Sequence, residues 1–169
     1  MKNKTIWITG ASSGIGEELV KQFSKEKVNL IISARRSTEL DRVKQENVGT
    51  AKIEILPLDL ERADELEVKA EKAISLFGQI DILINNGGVS QRSMAMDTQL
   101  DIDRKIMDIN YFGTIALTKA VMPHMLNRGS GQIATVTSVT GKFGTPWRSG
   151  YAASKHALHG FFDSLRAEL

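Results

Sequence analysis

The 169-residue chain contains no cysteine, which excludes disulfides and thiolate metal sites and fits a reducing, cytoplasmic setting. It has almost no charge imbalance: 22 lysines and arginines stand against 20 aspartates and glutamates, a formal net charge of +2. The basic residues are scattered rather than clustered, which argues against nucleic acid as a partner. No apolar stretch is long enough to span a bilayer. The first strand-like run begins by about Lys4, so a signal peptide or membrane anchor is not expected. Repeats, low-complexity tracts and interdomain linkers are absent. The three histidines, His124, His156 and His159, have no carboxylate or cysteine at ligand spacing, which argues against a metal site. At 41% hydrophobic, the chain has enough apolar residues for one sizeable core, so a single domain over residues 1–169 is expected.

Strand-like and helix-like runs alternate along the chain. Strands are expected at Thr5–Thr9, Val28–Ala34, Lys52–Leu56, Ile80–Asn85 and Gln132–Thr137. The alternation predicts an α/β doubly wound parallel sheet of the Rossmann type, with helices on both faces. A helix over 17–27 places Ile15, Leu19 and Phe23 on one face. Another, from Arg62 to Phe77, places Leu66, Ala70, Ala73, Ile74 and Phe77 inward, with Glu65 and Lys69 as an exposed i, i+4 pair. Asp101 to Asn127 reads as one long helix, apolar nearly all round from Tyr111 to Leu126, with Pro123 kinking it or weakening its last turns.

The most informative stretch is Thr9-Gly10-Ala11-Ser12-Ser13-Gly14-Ile15-Gly16, set between the first strand and the first helix. Strand, glycine-rich turn and helix in that order make a dinucleotide site. Gly10 permits the turn, Gly14 lets backbone approach a pyrophosphate, and Gly16 lets the helix pack on the strand. The helix N-terminus offers free N–H groups to the anion. The spacing is G-x-x-x-G-x-G rather than the commoner G-x-G-x-x-G.

Farther along, Tyr151-Ala152-Ala153-Ser154-Lys155 opens an apolar helical run, placing Tyr151 and Lys155 one turn apart on one face. An ammonium in that position favours a phenolate, which makes the tyrosine a workable general acid or base. Ser138 closes the fifth strand, at the sheet end where open α/β folds bind ligands. The second strand ends in Ala34-Arg35-Arg36. Sites for NAD carry a carboxylate about 20 residues past the glycine turn, to hold the ribose 2′-hydroxyl. Here that carboxylate is missing and two guanidiniums are present. Arg35 and Arg36 either clamp a 2′-phosphate, with Ser13 adding a hydroxyl, or are solvated side chains ahead of a helix cap at Ser37. The missing carboxylate favours NADP over NAD.

These landmarks together resemble the short-chain dehydrogenase/reductase family. The match runs through T-G-x-x-x-G-x-G at Thr9–Gly16, Asp59-Leu60, Asn85-Asn86-Gly87-Gly88, Asn110, Ser138 and Tyr151-x-x-x-Lys155. One departure is local, since Gly87 stands where the family usually has alanine. The resemblance implies that Gly10, Ser12, Ser13, Gly14, Ile15, Gly16, Arg35, Arg36, Asp59, Leu60, Asn86, Gly87, Gly88, Tyr151 and Lys155 contact the cofactor. Asp59 would bind the adenine amino group, and Asn86 to Gly88 would line the cofactor's ribose. It also implies that Asn110, Ser138, Tyr151 and Lys155 are catalytic, with Asn110 holding a water that relays protons towards Lys155. Each has a plainer reading: Asp59 as a turn residue, Asn86–Gly88 as a glycine turn, Asn110 as a satisfier of backbone, Ser138 as a strand-end hydroxyl. Met94 and Met96 fall where the family bears on substrate, or are core filler.

The expected function is NADP-dependent interconversion of a carbonyl and a secondary alcohol on a small, hydrophobic substrate. Residues 1–88 would form the dinucleotide-binding half and residues 89–169 the catalytic half. Family members continue with a further strand and a substrate-covering loop, so the sheet is expected to lack its C-terminal edge. A homodimer or homotetramer pairing through its two long apolar helices is expected, and an isolated 169-residue chain of low stability and little turnover. The competing expectation is a catalytically silent NADP-binding sensor or scaffold.

Overall fold

The buried strands carry continuous apolar runs rather than alternating ones, as a parallel sheet covered on both faces requires. In the computed structural model, which describes residues 1–169, β1 (Thr5–Thr9) is buried at every position, and β2 (Asn29–Ser33) at every position after the first. With β3 (Lys52–Ile55), β4 (Ile82–Asn85) and β5 (Gln132–Thr135) they form one sheet of order β3-β2-β1-β4-β5. All four pairings are parallel. Each strand begins or ends within two residues of its expected bounds, the usual uncertainty at element ends.

Six α-helices flank the sheet: α1 (Gly14–Phe23), α2 (Ser37–Glu46), α3 (Leu66–Phe77), α4 (Leu100–Met107), α5 (Thr114–Asn127) and α6 (Ser149–Glu168). The period-2 pleat sorts the sheet's side chains into two cores. Trp7, Ile31 and Leu83, aligned across three strands, pack against Leu66, Ala70 and Ala73 of α3 and Leu117, Val121 and Met125 of α5. Ile6, Ile8, Leu30, Ile32 and Ile84 face Val20 of α1 and Leu40 and Val43 of α2. The fully buried Trp7 indole N–H is satisfied by Ser33 Oγ at 2.8 Å, and that hydroxyl donates in turn to the Leu56 carbonyl at 2.5 Å.

Several expected elements differ in detail. The Asp101–Asn127 helix is three pieces, because a π-helical turn at Asp108–Gly113 separates α4 from α5. Nothing in the apolar period marks this turn, since the extra residue is absorbed within a single turn. Pro123 does not end α5. Lys119, whose carbonyl loses its partner, and Pro123 both face water, so solvent replaces the missing bond. The first helix starts at Gly14 and ends at Phe23, and only Leu19 and Phe23 of its expected apolar face pack on the core. Ile15 is 62% exposed. Arg62 to Glu65 precede α3 and include a 3₁₀ turn at Ala63–Glu65; Glu65 pairs with Arg62 at 2.8 Å, not with Lys69. Arg36, not Ser37, is the N-cap of α2. Met94 and Met96 are exposed, so neither is core filler. No helix is long and apolar enough to cross a membrane.

At the sheet end where β1 and β4 begin, Asp81 collects four donors: the Thr5 N–H at 2.8 Å, Gln79 Nε2 and Arg128 Nη2 each at 2.9 Å, and Lys4 Nζ at 3.2 Å. Burial alone would raise its pKa. The Thr5 bond, followed by those from Arg128, Lys4 and Gln79, outweighs burial and holds it at about 2. Since the folded value is depressed, the carboxylate's stabilisation is complete above pH about 4 and is lost as pH falls towards 2. The shift corresponds to about 2 kcal/mol. Asp81→Asn should therefore destabilise the chain by at least about 2 kcal/mol near pH 7, with the difference narrowing below pH about 4. Urea unfolding of both forms across pH 2.5 to 7 measures this, and a gap that stays constant with pH would refute the assignment.

Candidate active site

From β1 the chain adds β2 and β3 on one side, then returns to add β4 and β5 on the other, so the strand order reverses between β1 and β4, and open α/β sheets bind ligands at the carboxyl ends of strands at such a point. A cavity of about 370 Å³ lies at that point. It is lined by Gly10, Ser12, Ser13 and Ile15 from the first turn, and by Ala34, Arg35 and Arg36 after β2. Leu58, Asp59 and Leu60 after β3, Asn86, Gly87, Gly88 and Val89 after β4, and Ile109 complete it. The exposed Ile15 is explained by this cavity. Gly14 and Gly16 shape the turn without lining the cavity.

The turn is built for close approach. Gly10 and Gly14 adopt left-handed backbone, with φ of 65° and 58°, where L side chains are strained. A Cβ on Gly16 would lie 2.2 Å from the Gly10 carbonyl oxygen, so the helix reaches the strand only without one. The N–H groups of Ser12 to Gly16 donate to no other group of the protein, and the Ser13 hydroxyl caps nothing. Those N–H groups at a helix start form a ready anion cradle.

Two residues lock this turn to β4. Asn86 Nδ2 donates to the carbonyls of Thr9 at 3.0 Å and Gly10 at 3.2 Å. Thr9 Oγ1 accepts the N–H groups of Asn86 and Gly87 at 3.1 and 3.0 Å. Thr9 belongs to the glycine-turn motif, yet nothing local in the sequence marks this role beyond a hydroxyl at a strand end facing a neighbouring turn. A Cβ on Gly87 would sit 2.8 Å from Leu60 Cδ1, the movable end of a flexible side chain, so the packing favours glycine there without requiring it. Asp59 lines the cavity and also makes a local turn, its Oδ1 accepting the Glu61 N–H at 3.1 Å. Arg35 and Arg36 are exposed at the cavity's edge, and neither has an ion-pair partner.

The second group of residues adjoins the Gly88 end of the cavity. Lys155 is buried in α6 and donates to the Val136 carbonyl at 3.0 Å, and its Nζ lies 5.8 Å from the centre of the Tyr151 ring. The same Nζ is 3.7 Å from where a Cβ on Gly88 would stand. Burial pushes the Lys155 ammonium below its usual range. Tyr151 is in the first turn of α6, where its N–H donates to Gln91 Oε1 at 3.0 Å and the Arg148 guanidinium lies 5.7 Å from its ring centre. Ser138 stands three residues past β5, as N-cap of a short 3₁₀ turn at Val139–Gly141, accepting the Thr140 N–H at 3.2 Å and its hydroxyl at 3.0 Å.

Asn110, fully buried in the π-helical turn, joins the two groups. Its Oδ1 accepts the Val89 N–H at 2.8 Å, and its Nδ2 donates to the Val89 carbonyl at 2.9 Å and to Ser154 Oγ at 3.0 Å. Ser154 passes the connection to the Tyr151 carbonyl at 2.8 Å. The side chain of Asn110 is thus committed to holding the loop after β4 against α6. Gln91 and Ser154 were not read from sequence, because their partners are 60 and 44 residues away. Two of the three histidines take structural roles: His124 Nε2 accepts the Ile80 N–H at 3.4 Å, and His156 Nδ1 meets the Ala152 carbonyl at 2.8 Å. A wider groove of about 690 Å³ runs along the open edge of β5, between α5 and α6, and includes His159 and Thr135.

Known proteins share this fold. A family profile described as short chain dehydrogenase matches residues 4–169. Dehydrogenase/reductase SDR family member 7 of Homo sapiens is 51% identical over 174 residues, covering all of this chain and 51% of that protein. Dehydrogenase/reductase SDR family member 7B of Mus musculus is 40% identical, covering all of this chain and 54% of its own length. The chain therefore spans about half the length of the curated relatives it matches. Among solved structures, a short-chain type dehydrogenase/reductase from Mycobacterium marinum superposes with a TM-score of 0.94 at 27% identity, over 99% of this chain and 70% of that one. Levodione reductase gives a TM-score of 0.94 at 26% identity, over 99% and 67%. Profile, relatives and geometry agree: the chain belongs to the short-chain dehydrogenase/reductase family.

Proposed function

We propose that this chain carries the NADP-binding and proton-transfer residues of an oxidoreductase that interconverts a carbonyl and a secondary alcohol. One observation carries the reading: an anion cradle of unpartnered N–H groups opens onto two guanidiniums that have no counter-ion. The residues present fit a dinucleotide. The Ser12–Gly16 N–H groups suit its pyrophosphate, and Asp59 and Asn86–Gly88 suit its adenosine end. Arg35, Arg36 and the free Ser13 hydroxyl suit a 2′-phosphate, with no carboxylate at the end of β2 to oppose it. When bound, the nicotinamide supplies or accepts the hydride.

The proton chemistry belongs to the chain's own side chains. Ser138 holds the substrate oxygen by a hydrogen bond, and Tyr151 donates a proton to that oxygen as negative charge develops. Lys155 spends one of its three donors on Val136 and keeps two for a ribose hydroxyl and for the Tyr151 environment. Its lowered pKa eases proton exchange towards solvent. Because both Nδ2 hydrogens of Asn110 are engaged, its part in any relay falls to acceptor groups, the second lone pair of Oδ1 or its main chain in the π-helical turn. Residues 1–88 serve as the binding half and 89–169 as the catalytic half. Self-association belongs to the same reading, supported by the exposed apolar side chains of Phe112 and Leu126.

Two experiments test this. In fluorescence titrations NADPH should bind at least ~10-fold more tightly than NADH, and Arg35→Ala with Arg36→Ala should erase that preference while leaving NADH affinity nearly unchanged. Equal affinities in the unaltered chain would sink the NADP reading. In a chain extended to the length of its relatives, Tyr151→Phe should cut turnover on a ketone panel by ~10²–10⁴-fold with NADPH binding intact. Lys155→Ala should lose both turnover and cofactor affinity. Near-normal rates in Tyr151→Phe would remove Tyr151 from its role, and binding without any turnover in the unaltered protein would point to a silent NADP sensor.

A further inference from the structure

The glycine turn is held from behind by a side chain that lines no part of the cavity. Arg42, midway along α2, commits all five of its N–H donors. Nη1 reaches Glu17 Oε1 at 2.8 Å and Glu46 Oε2 at 2.6 Å. Nη2 reaches Glu17 Oε2 at 3.2 Å and the Ser12 carbonyl at 3.3 Å, and Nε reaches Glu39 Oε2 at 3.1 Å. One guanidinium thus joins α2, the first turn of α1 and the glycine turn itself.

Two physical consequences follow for the cavity. The peptide between Ser12 and Ser13 is trans, so a carbonyl drawn towards Arg42 turns the Ser13 N–H the opposite way. That N–H has no partner in the protein, and both residues line the cavity. The second consequence is electrostatic. Glu17 stands one residue past Gly16, in the helix turn that presents N–H groups to an anion. Hydrogen bonding from Arg42 holds the Glu17 carboxyl below the usual carboxylate range, so it is ionised at neutral pH. Without Arg42, three carboxylates would stand behind the turn with no guanidinium among them, opposing a phosphate bound in front.

We propose that Arg42 is a positioning residue for cofactor choice: it orients the Ser12–Ser13 peptide and neutralises Glu17, so that Ser13, Arg35 and Arg36 accept a 2′-phosphate. This rests on the NADP reading above. A pyrophosphate alone depends less on it, because the N–H groups of Gly14 to Gly16 belong to the helix start and are fixed by α1.

The test is fluorescence titration of NADPH and NADH against the 169-residue chain and three variants, Arg42→Met, Arg42→Lys and Arg42→Met with Glu17→Gln, each checked by thermal unfolding. Arg42→Met should weaken NADPH binding by ~10-fold and NADH binding by less than ~3-fold, collapsing the preference. Arg42→Lys keeps the charge but not the planar fork, and should retain an intermediate preference. Adding Glu17→Gln to Arg42→Met should recover several-fold in NADPH affinity, because the uncompensated carboxylate is gone. A loss of general fold support would weaken both cofactors alike, so an unchanged ratio in Arg42→Met overturns the proposal. If that variant does not fold, an unchanged ratio in Arg42→Lys overturns it instead. No recovery in the double variant overturns the electrostatic half. Equal NADPH and NADH affinities in the unaltered chain overturn the NADP reading, and this inference with it.

Discussion

The site depends on one junction, the cross-bonding of β1 to β4 at their carboxyl ends. Parallel pairing brings Thr9 and Asn86 side by side, and each satisfies the backbone of the other's segment. A turn with two left-handed glycines has few contacts of its own and much chain entropy to lose. Asn86, by donating to two successive carbonyls of that turn, fixes it without filling the space in front of it. The free N–H groups of Ser12 to Gly16 are preorganised as a result, so a ligand meets donors that need no rearrangement.

The opposite end of the sheet is fastened by charge. Asp81 draws the starts of β1 and β4 and the α5–β5 connection onto one carboxylate. Such a buried group is costly unless every lone pair finds a donor, and here four donors are in place. With both ends of the β1–β4 pair tied, the register cannot slip, and the cavity keeps its shape between them.

The link between the glycine-turn cavity and the Tyr151–Lys155 pair is polar as well. Asn110 is the only fully buried asparagine, and its side chain spans from the Val89 backbone to Ser154. That bridge places Gly88, which lines the cavity, beside Lys155 Nζ. Burial around Lys155 makes its ammonium easier to deprotonate, which suits the proton-transfer role proposed for the Tyr151–Lys155 pair. Behind the glycine turn Arg42 does the comparable task for charge, pairing carboxylates that would otherwise oppose an anion.

Legible in the sequence were the five parallel strands, the helices on both faces, the glycine turn and the placement of Tyr151 and Lys155 one turn apart on α6. Those features follow from apolar runs, turn residues and short spacings, which are local properties of the chain. Ser138, expected to close the fifth strand, instead caps a 3₁₀ turn three residues beyond it. Tertiary structure alone decided the rest. The π-helical turn at Asp108–Gly113 leaves no trace in the apolar period. The bonds from Thr9 to Asn86 and from Gln91 to Tyr151 join residues 77 and 60 positions apart, which no local pattern encodes. Ile15 looks like a core residue by helical spacing, yet it faces the cavity, because helix periodicity tells which residues share a face and not what that face meets.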